Sequence, residues 1–275
     1  MYDESIRGFS EAGAQKAELV RSQLLAFAVG AVMAGAYIGF GDVLMFTTGA
    51  HVDAAWAHLT MGIVFTSALT IVVFAGSELF TGTTMYMTLA LLTKRVKVTD
   101  ALAVWSAAWI GNLVGALLLA SLISLAGGGA MLGDGSTTFF SIVSTKMSAG
   151  AVELLVKGIL CNWLVCLAIW MASRTENAAA KIMLIFWPIT IFVASGFEHS
   201  VANMFTFALA LMGEHPGSVT LLGALHNLVW VTIGNVIGGG VFVAIGYWAQ
   251  FYSSGHVSFT PKTVPLRQRA RKQAE

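Results

Sequence analysis

The sequence predicts an all-α membrane protein of six transmembrane helices, arranged as a 3+3 inverted repeat with two broken helices. Three observations carry this. Of 275 residues, 57% are apolar and only 11% are Asp, Glu, Lys or Arg, whereas a soluble domain is about 25% charged. Stretches long enough to cross a hydrocarbon core, about 20 predominantly apolar residues, recur along the chain. Two of them carry polar, glycine-flanked interruptions at matching places. The same composition excludes an ordinary water-soluble enzyme and a disordered chain, which needs low hydrophobicity and high net charge. A net charge of +1 leaves no basic surface able to neutralise many phosphates, so no nucleic-acid partner is expected.

The elements follow in order. Residues 1–22 hold Asp3, Glu4, Arg7, Glu11, Lys16, Glu18 and Arg21 and lack the apolar run of a signal peptide. Ile6, Phe9, Gly13, Ala17 and Val20 recur at helical spacing opposite Arg7, Glu11 and Glu18, which reads as an amphipathic cytoplasmic helix lying along the membrane surface. A partner-binding helix is the alternative. The membrane domain spans 23–251, with apolar segments near 24–47, 59–93, 101–126, 151–173, 182–213 and 221–251. From 252 to 275 the chain is a polar, basic tail, expected on the cytoplasmic side.

Lys and Arg placement sets the orientation. Thirteen of the 15 basic residues precede segment one, follow segments two and four, or fill the tail, while Lys146 and Lys157 fall toward the other face. Six spans return the chain to its starting side, so both termini face the cytoplasm.

Segments 59–93 and 182–213 are too long for one upright span and too short for two. Each is polar in the middle: Gly76-Ser77-Glu78-Leu79-Phe80-Thr81-Gly82 and Ser195-Gly196-Phe197-Glu198-His199-Ser200. Charged groups and unpaired backbone are tolerated at membrane depth only inside protein or beside a cavity. Glu78 precedes Ile110-Gly111-Asn112-Leu113-Val114-Gly115, and Glu198 precedes the matching Ile233-Gly234-Asn235-Val236-Ile237-Gly238. Segments 1–3 and 4–6 therefore read as two copies of one unit. Three spans is an odd number, so the second copy is inverted, a pattern that points to a transport path near the midplane.

His199, at the second break and beside Glu198, is the leading functional candidate, because an imidazole can take a proton near neutral pH. An anion crossing an apolar constriction loses its hydration, and a positive group there offsets that loss. Thr81 is the matching polar group in the first break, as an uncharged donor or a helix cap. Half-helix N-termini add unpaired amides and dipole attraction for anions. Glu78 and Glu198 are expected to accept hydrogen bonds from backbone freed by the breaks. Asn112, Asn162, Asn203 and Asn235 are expected to bond between helices, with Asn162 able to face a pore. Cys161 and Cys166, five apart on one helix, face different ways and read as inert buried thiols. Gly35 and Gly39 read as close helix packing. No hydrolytic triad, nucleophile elbow, phosphate loop or metal spacing is present, so no catalytic residue, metal or cofactor is expected.

The residues at the two breaks, with Lys157-Gly158 through Cys161-Asn162-Trp163-Leu164-Val165-Cys166-Leu167-Ala168-Ile169-Trp170, resemble the signatures of the formate/nitrite transporter family from about residue 24 to 250. Ser77-Glu78 and Cys161-Asn162-Trp163 look closer to its nitrite channels than to its formate channels. The resemblance implies an aquaporin-like protomer in a homopentamer, each subunit holding its own pore, in the bacterial cytoplasmic (inner) membrane. It makes His199 the central pore histidine and Thr81 its partner. Leu79 and Phe192 become the cytoplasmic-side constriction, with Phe65 and Leu69 lining the other side. Lys146 matches a vestibule lysine that draws anions in, and Asn162 a pore-adjacent amide. The implied function is a channel for small monovalent anions, nitrite foremost. Formate or hydrosulfide is the alternative within the fold, and an intramembrane enzyme or a purely structural protein the alternative outside it.

Overall fold

The computed structural model of the chain describes residues 3–253, and every regular element in them is helical. In chain order they are α1 (Asp3–Ser22), α2 (Leu24–Gly49), α3 (Ala54–Ala75), α4 (Phe80–Leu92), α5 (Val98–Leu125), the short α6 (Gly129–Leu132), α7 (Ser136–Ser148), α8 (Ala151–Ala172), α9 (Ala178–Ala194), α10 (Ser200–Leu211) and α11 (Leu221–Ile237). A π-helical stretch (Gly238–Ile245) then leads into α12 (Gly246–Ser253). By length and composition, α2, α3, α5, α8 and the run Leu221–Gln250 can each cross a membrane. The expected segment 182–213 arrives as two pieces, α9 of 17 residues and α10 of 12. The expected tail, beyond Ser253, lies outside the described residues.

Both breaks are built alike. α3 ends at Gly76 and α9 just before Gly196, with φ of 70° and 68°, the left-handed conformation that glycine adopts without strain after a helix. Beyond each glycine an amide reaches back to close the last turn: Ser77 N–H to Val72 O at 3.2 Å and Phe197 N–H to Phe192 O at 3.0 Å. Leu79 and His199 are then extended and begin α4 and α10.

The freed backbone of each break is satisfied by one asparagine. Asn112 accepts from Phe80 N–H at 2.9 Å and donates to Glu78 O at 2.9 Å and Ala31 O at 2.7 Å. Asn235 accepts from Ser200 N–H at 2.9 Å and donates to Glu198 O at 3.0 Å and Gly158 O at 2.8 Å. The repeated Gly-Asn-x-x-Gly run thus has a mechanical reading. Its glycines let α5 meet α2, and α11 meet α8, at backbone distance, because a Cβ on Gly115 would lie 1.9 Å from Val32 O and one on Gly234 2.3 Å from Leu155 O. The asparagine between them then reaches the interrupted strand of chain. Gly35 serves the same crossing, its absent Cβ falling 2.0 Å from Asn112 O. These asparagines were expected to tie one helix to another, and they do so through Ala31 O of α2 and Gly158 O of α8, while their other bonds go to the breaks.

One expectation needs correction. The apolar stripe of α1 is not laid into lipid: Ile6, Phe9, Gly13 and Ala17 are buried on the chain's own helices. Gly13 passes Tyr86 O so closely that a Cβ would sit 2.7 Å away, and Phe9 stacks on Trp170 at 5.3 Å. Trp170 in turn stacks on Tyr247 at 4.0 Å. α1 is a packed part of the bundle.

Candidate functional site

The N-termini of α4 and α10 bring Thr81 and His199 together, with Thr81 Oγ1 and His199 Nε2 3.2 Å apart. His199 caps α10, its Nδ1 accepting from Ala202 N–H at 3.2 Å. A ring nitrogen that accepts carries no proton. In the neutral ring the hydrogen therefore sits on Nε2 and is donated to Thr81 Oγ1, which leaves the Thr81 hydroxyl hydrogen available to another acceptor. His199 is 3% exposed and its ring lies 6.1 Å from that of Phe192.

A cavity lies on each side of this contact. One, of about 90 Å³, is lined by Asp42, His58, Phe65, Lys146, Phe192 and His199, among others. The second, of about 260 Å³, is lined by Lys16, Leu69, Gly76, Leu79, Tyr86 and Lys181, among others. Along α3, His58 and Phe65 face the first cavity and Leu69 the second; along α9, Lys181 faces the second and Phe192 the first. The two helices therefore run in opposite senses between the cavities, as an inverted repeat requires. That sense corrects the expected pairing of the apolar groups. Phe192, near the end of α9, sits with Phe65, their rings edge to face at 5.9 Å, while Leu69, one turn beyond Phe65, sits with Leu79.

The glutamates also differ from expectation. Their backbone neighbours are served by Asn112 and Asn235, and their carboxylates by lysines. Glu78 pairs with Lys16 of α1. Both oxygens of Glu198 accept from Lys146 Nζ of α7 at 3.0 Å, and Lys146 Nζ also donates to Asn203 Oδ1 at 3.1 Å. Asn203 Nδ2 returns a bond to Glu198 at 2.6 Å and another to Asn227 Oδ1 at 2.8 Å. α1 and α7 are thus equivalent, each a helix preceding a repeat and sending one lysine to its break. The sequence signal for this was present, two lysines placed similarly ahead of the two glutamates, but partners 62 and 52 residues apart give no local pattern.

Asn162 does not line either cavity. Its Nδ2 donates to Thr81 O at 3.1 Å, Thr84 Oγ1 at 2.9 Å and Asn235 O at 2.6 Å, holding the first turn of α4 against α11 from behind. Cys161 and Cys166 are free and buried. Sequence reading passed over Asp42, although it is the one charged residue of the segment 24–47; it is buried beside the Lys146-side cavity. Among the described residues no cluster of three or more His, Cys, Asp or Glu could hold a metal ion.

Two cavities, an inverted pair of broken helices and a polar contact between the half-helix N-termini describe a membrane transport scaffold, and comparison with known proteins agrees. The sequence model described as formate/nitrite transporter matches residues 3–249. The nitrite transporter NirC of Escherichia coli K12 is 46% identical over 248 residues, 90% of this chain and 92% of that protein. A solved FNT family ion channel superposes with a TM-score of 0.87 at 46% identity, covering 90% of this chain and 99% of that one. A pentameric formate channel with formate bound superposes with a TM-score of 0.71 at 30% identity, covering 83% and 98%. With the match running through α1, both breaks and the π-helical stretch, the chain belongs to the formate/nitrite transporter family.

Proposed function

We propose that the chain is a channel for small monovalent anions, nitrite first among them, with one pore in each subunit of a homopentamer in the bacterial cytoplasmic membrane. The observation that carries this is the Thr81–His199 contact between two cavities, each holding a lysine, in a chain 46% identical to a nitrite transporter. Charge segregation supports cytoplasmic termini. Lys16 and Lys181 share one cavity, and Arg95 and Arg21 pair with Glu11 and Asp100 where α1 meets the ends of α4 and α5, gathering the basic end of the chain on one face. The Lys146 cavity then opens to the opposite side.

An anion in either cavity meets a lysine whose charge is shared with a glutamate, so it is attracted without being trapped. It next reaches the apolar groups, Phe65 with Phe192 or Leu69 with Leu79, where it sheds water at a cost of several kcal/mol unless compensated. The free Thr81 hydroxyl hydrogen, the amides at the starts of α4 and α10 and a proton accepted or shared by His199 provide that compensation. Asn162, Glu78, Glu198 and Asn203 hold these groups in place.

Formate or hydrosulfide is the second reading, favoured by the likeness to the formate channel. Purified protein in liposomes, challenged with nitrite, formate and hydrosulfide singly and in competition, distinguishes them: nitrite is expected to pass fastest, and passage of none of the three overturns the channel. His199→Asn is expected to reshape the pH profile of nitrite flux, and an unchanged profile retires the proton role while leaving the channel.

A further inference from the structure

Asp42 has no place in the path described so far. It lies on α2, 1% exposed, and among the described residues neither carboxylate oxygen has a partner at hydrogen-bond geometry, the neighbouring Thr206 hydroxyl being unpartnered as well. It nevertheless lines the Lys146-side cavity. A buried carboxylate with at most one hydroxyl beside it is expensive to ionise, and this one faces a path for anions.

Charge counting supplies one. The titratable and charged groups around Asp42 are His58 from α3, Lys146 from α7, and Glu198 and His199 at the start of α10, while α5 and α6 add none to the cavity lining. Lys146 acts on Asp42 through space, but its charge is already matched by Glu198 at 3.0 Å. With Asp42 ionised and His58 and His199 neutral, the cavity therefore holds one negative charge in excess. With Asp42 protonated it is balanced. A second anion about 6 Å from an ionised carboxylate, at an effective dielectric constant of about 20, is disfavoured on the order of a hundredfold.

We propose that Asp42 is a proton-exchange site governing admission of anions from the Lys146 side: carrying its proton, it leaves the cavity open to an anion, and without it the cavity turns anions away. His58, exposed at the same cavity, connects the site to water. The proposal rests on the channel reading above and deepens it, because it adds a proton-dependent selection step ahead of His199.

The test compares Asp42→Asn with the native chain in liposomes, with nitrite supplied from the Lys146 side between about pH 5 and about pH 8. Taking the ratio of variant to native flux at each pH cancels the protonation of nitrite itself. The ratio is expected to rise about tenfold or more toward the alkaline end, while Asp42→Glu tracks the native profile. A ratio constant within about twofold overturns the proposal. If nitrite does not pass the native chain, the comparison is made with formate or hydrosulfide, whichever passes, and passage of none of the three instead overturns the channel reading. If Asp42→Asn fails to assemble, the native protein still decides: a membrane-permeant carbodiimide, which reacts with protonated carboxyls, should label Asp42 progressively less as pH rises. No labelling at any pH, or labelling independent of pH, overturns the assignment.

Discussion

Replacing Asn235 by leucine keeps the branching and the number of side-chain heavy atoms, so no cavity opens and the loss is chiefly one of hydrogen bonding, with any overpacking adding to it. Three bonds disappear, to Ser200 N–H, Glu198 O and Gly158 O. Gly158 O lies within α8 and keeps its helical amide partner, but Ser200 N–H and Glu198 O belong to the break and lose the side chain that served them. A buried donor or acceptor left without a partner costs about 1–3 kcal/mol, so Asn235→Leu should destabilise the protein by about 2–6 kcal/mol. Asn112→Leu should do the same, since it strands Phe80 N–H and Glu78 O in the first break. Unfolding of the purified protein in mixed micelles gives the stability change, and hydrogen exchange at the Ser200 and Phe80 amides locates it. The reasoning fails if either variant loses less than about 0.5 kcal/mol, the range of a neutral surface substitution. It fails equally if the amide of the affected break stays as protected as in the native chain.

Two further outcomes follow from the same geometry. Lys146→Met leaves Glu198, whose side chain is 5% exposed, without its cation; breaking a buried pair costs up to about 3–5 kcal/mol, and adding Glu198→Gln should restore part of that stability in the same unfolding assay. Gly115→Ala places a methyl group 1.9 Å from Val32 O, so α2 and α5 must separate; a loss of about 1–3 kcal/mol is expected, and native-like unfolding would show that the crossing has slack.

The spans were legible because lipid demands long apolar runs, and the breaks because glycine and glutamate inside such runs have few physical explanations. The equivalence of Asn112 and Asn235 was visible as a repeated run, but its purpose was not, since which backbone groups an amide reaches depends on how closely two helices cross. The partners of Glu78 and Glu198 were hidden for a related reason. Lys16 and Lys146 stand on separate helices outside the repeats that interrupted segments defined, and an ion pair leaves no periodicity in the sequence. The pairing of Phe192 with Leu79, which the family resemblance implied, fails on direction: α9 runs opposite to α3, so Phe192 near its end reaches the cavity of Phe65.

The repeat also explains why the chemistry sits where it does. Aligning the breaks through Glu78 and Glu198, Phe80 and Ser200, and Asn112 and Asn235 makes Leu79 the counterpart of His199, and Thr81 the counterpart of Val201. The bonds that Asn112 and Asn235 make to the interrupted backbone occur twice, once in each repeat. The two polar groups that touch each other occur once each, at positions whose counterparts are apolar. A symmetric pore with leucine at both 79 and 199 would keep the asparagine bonds of both breaks, lose the cap that His199 gives Ala202 N–H, and offer a dehydrated anion only backbone amides. One with histidine at both would give up Leu79 and its apolar contact with Leu69. The symmetric bonds keep two interrupted helices in register, and the broken symmetry at 79, 81, 199 and 201 places one titratable ring against one hydroxyl. On the proposed channel reading it is at those four positions, more than at the duplicated asparagines and glycines, that substitution should change what passes and at what pH, at a smaller cost in stability.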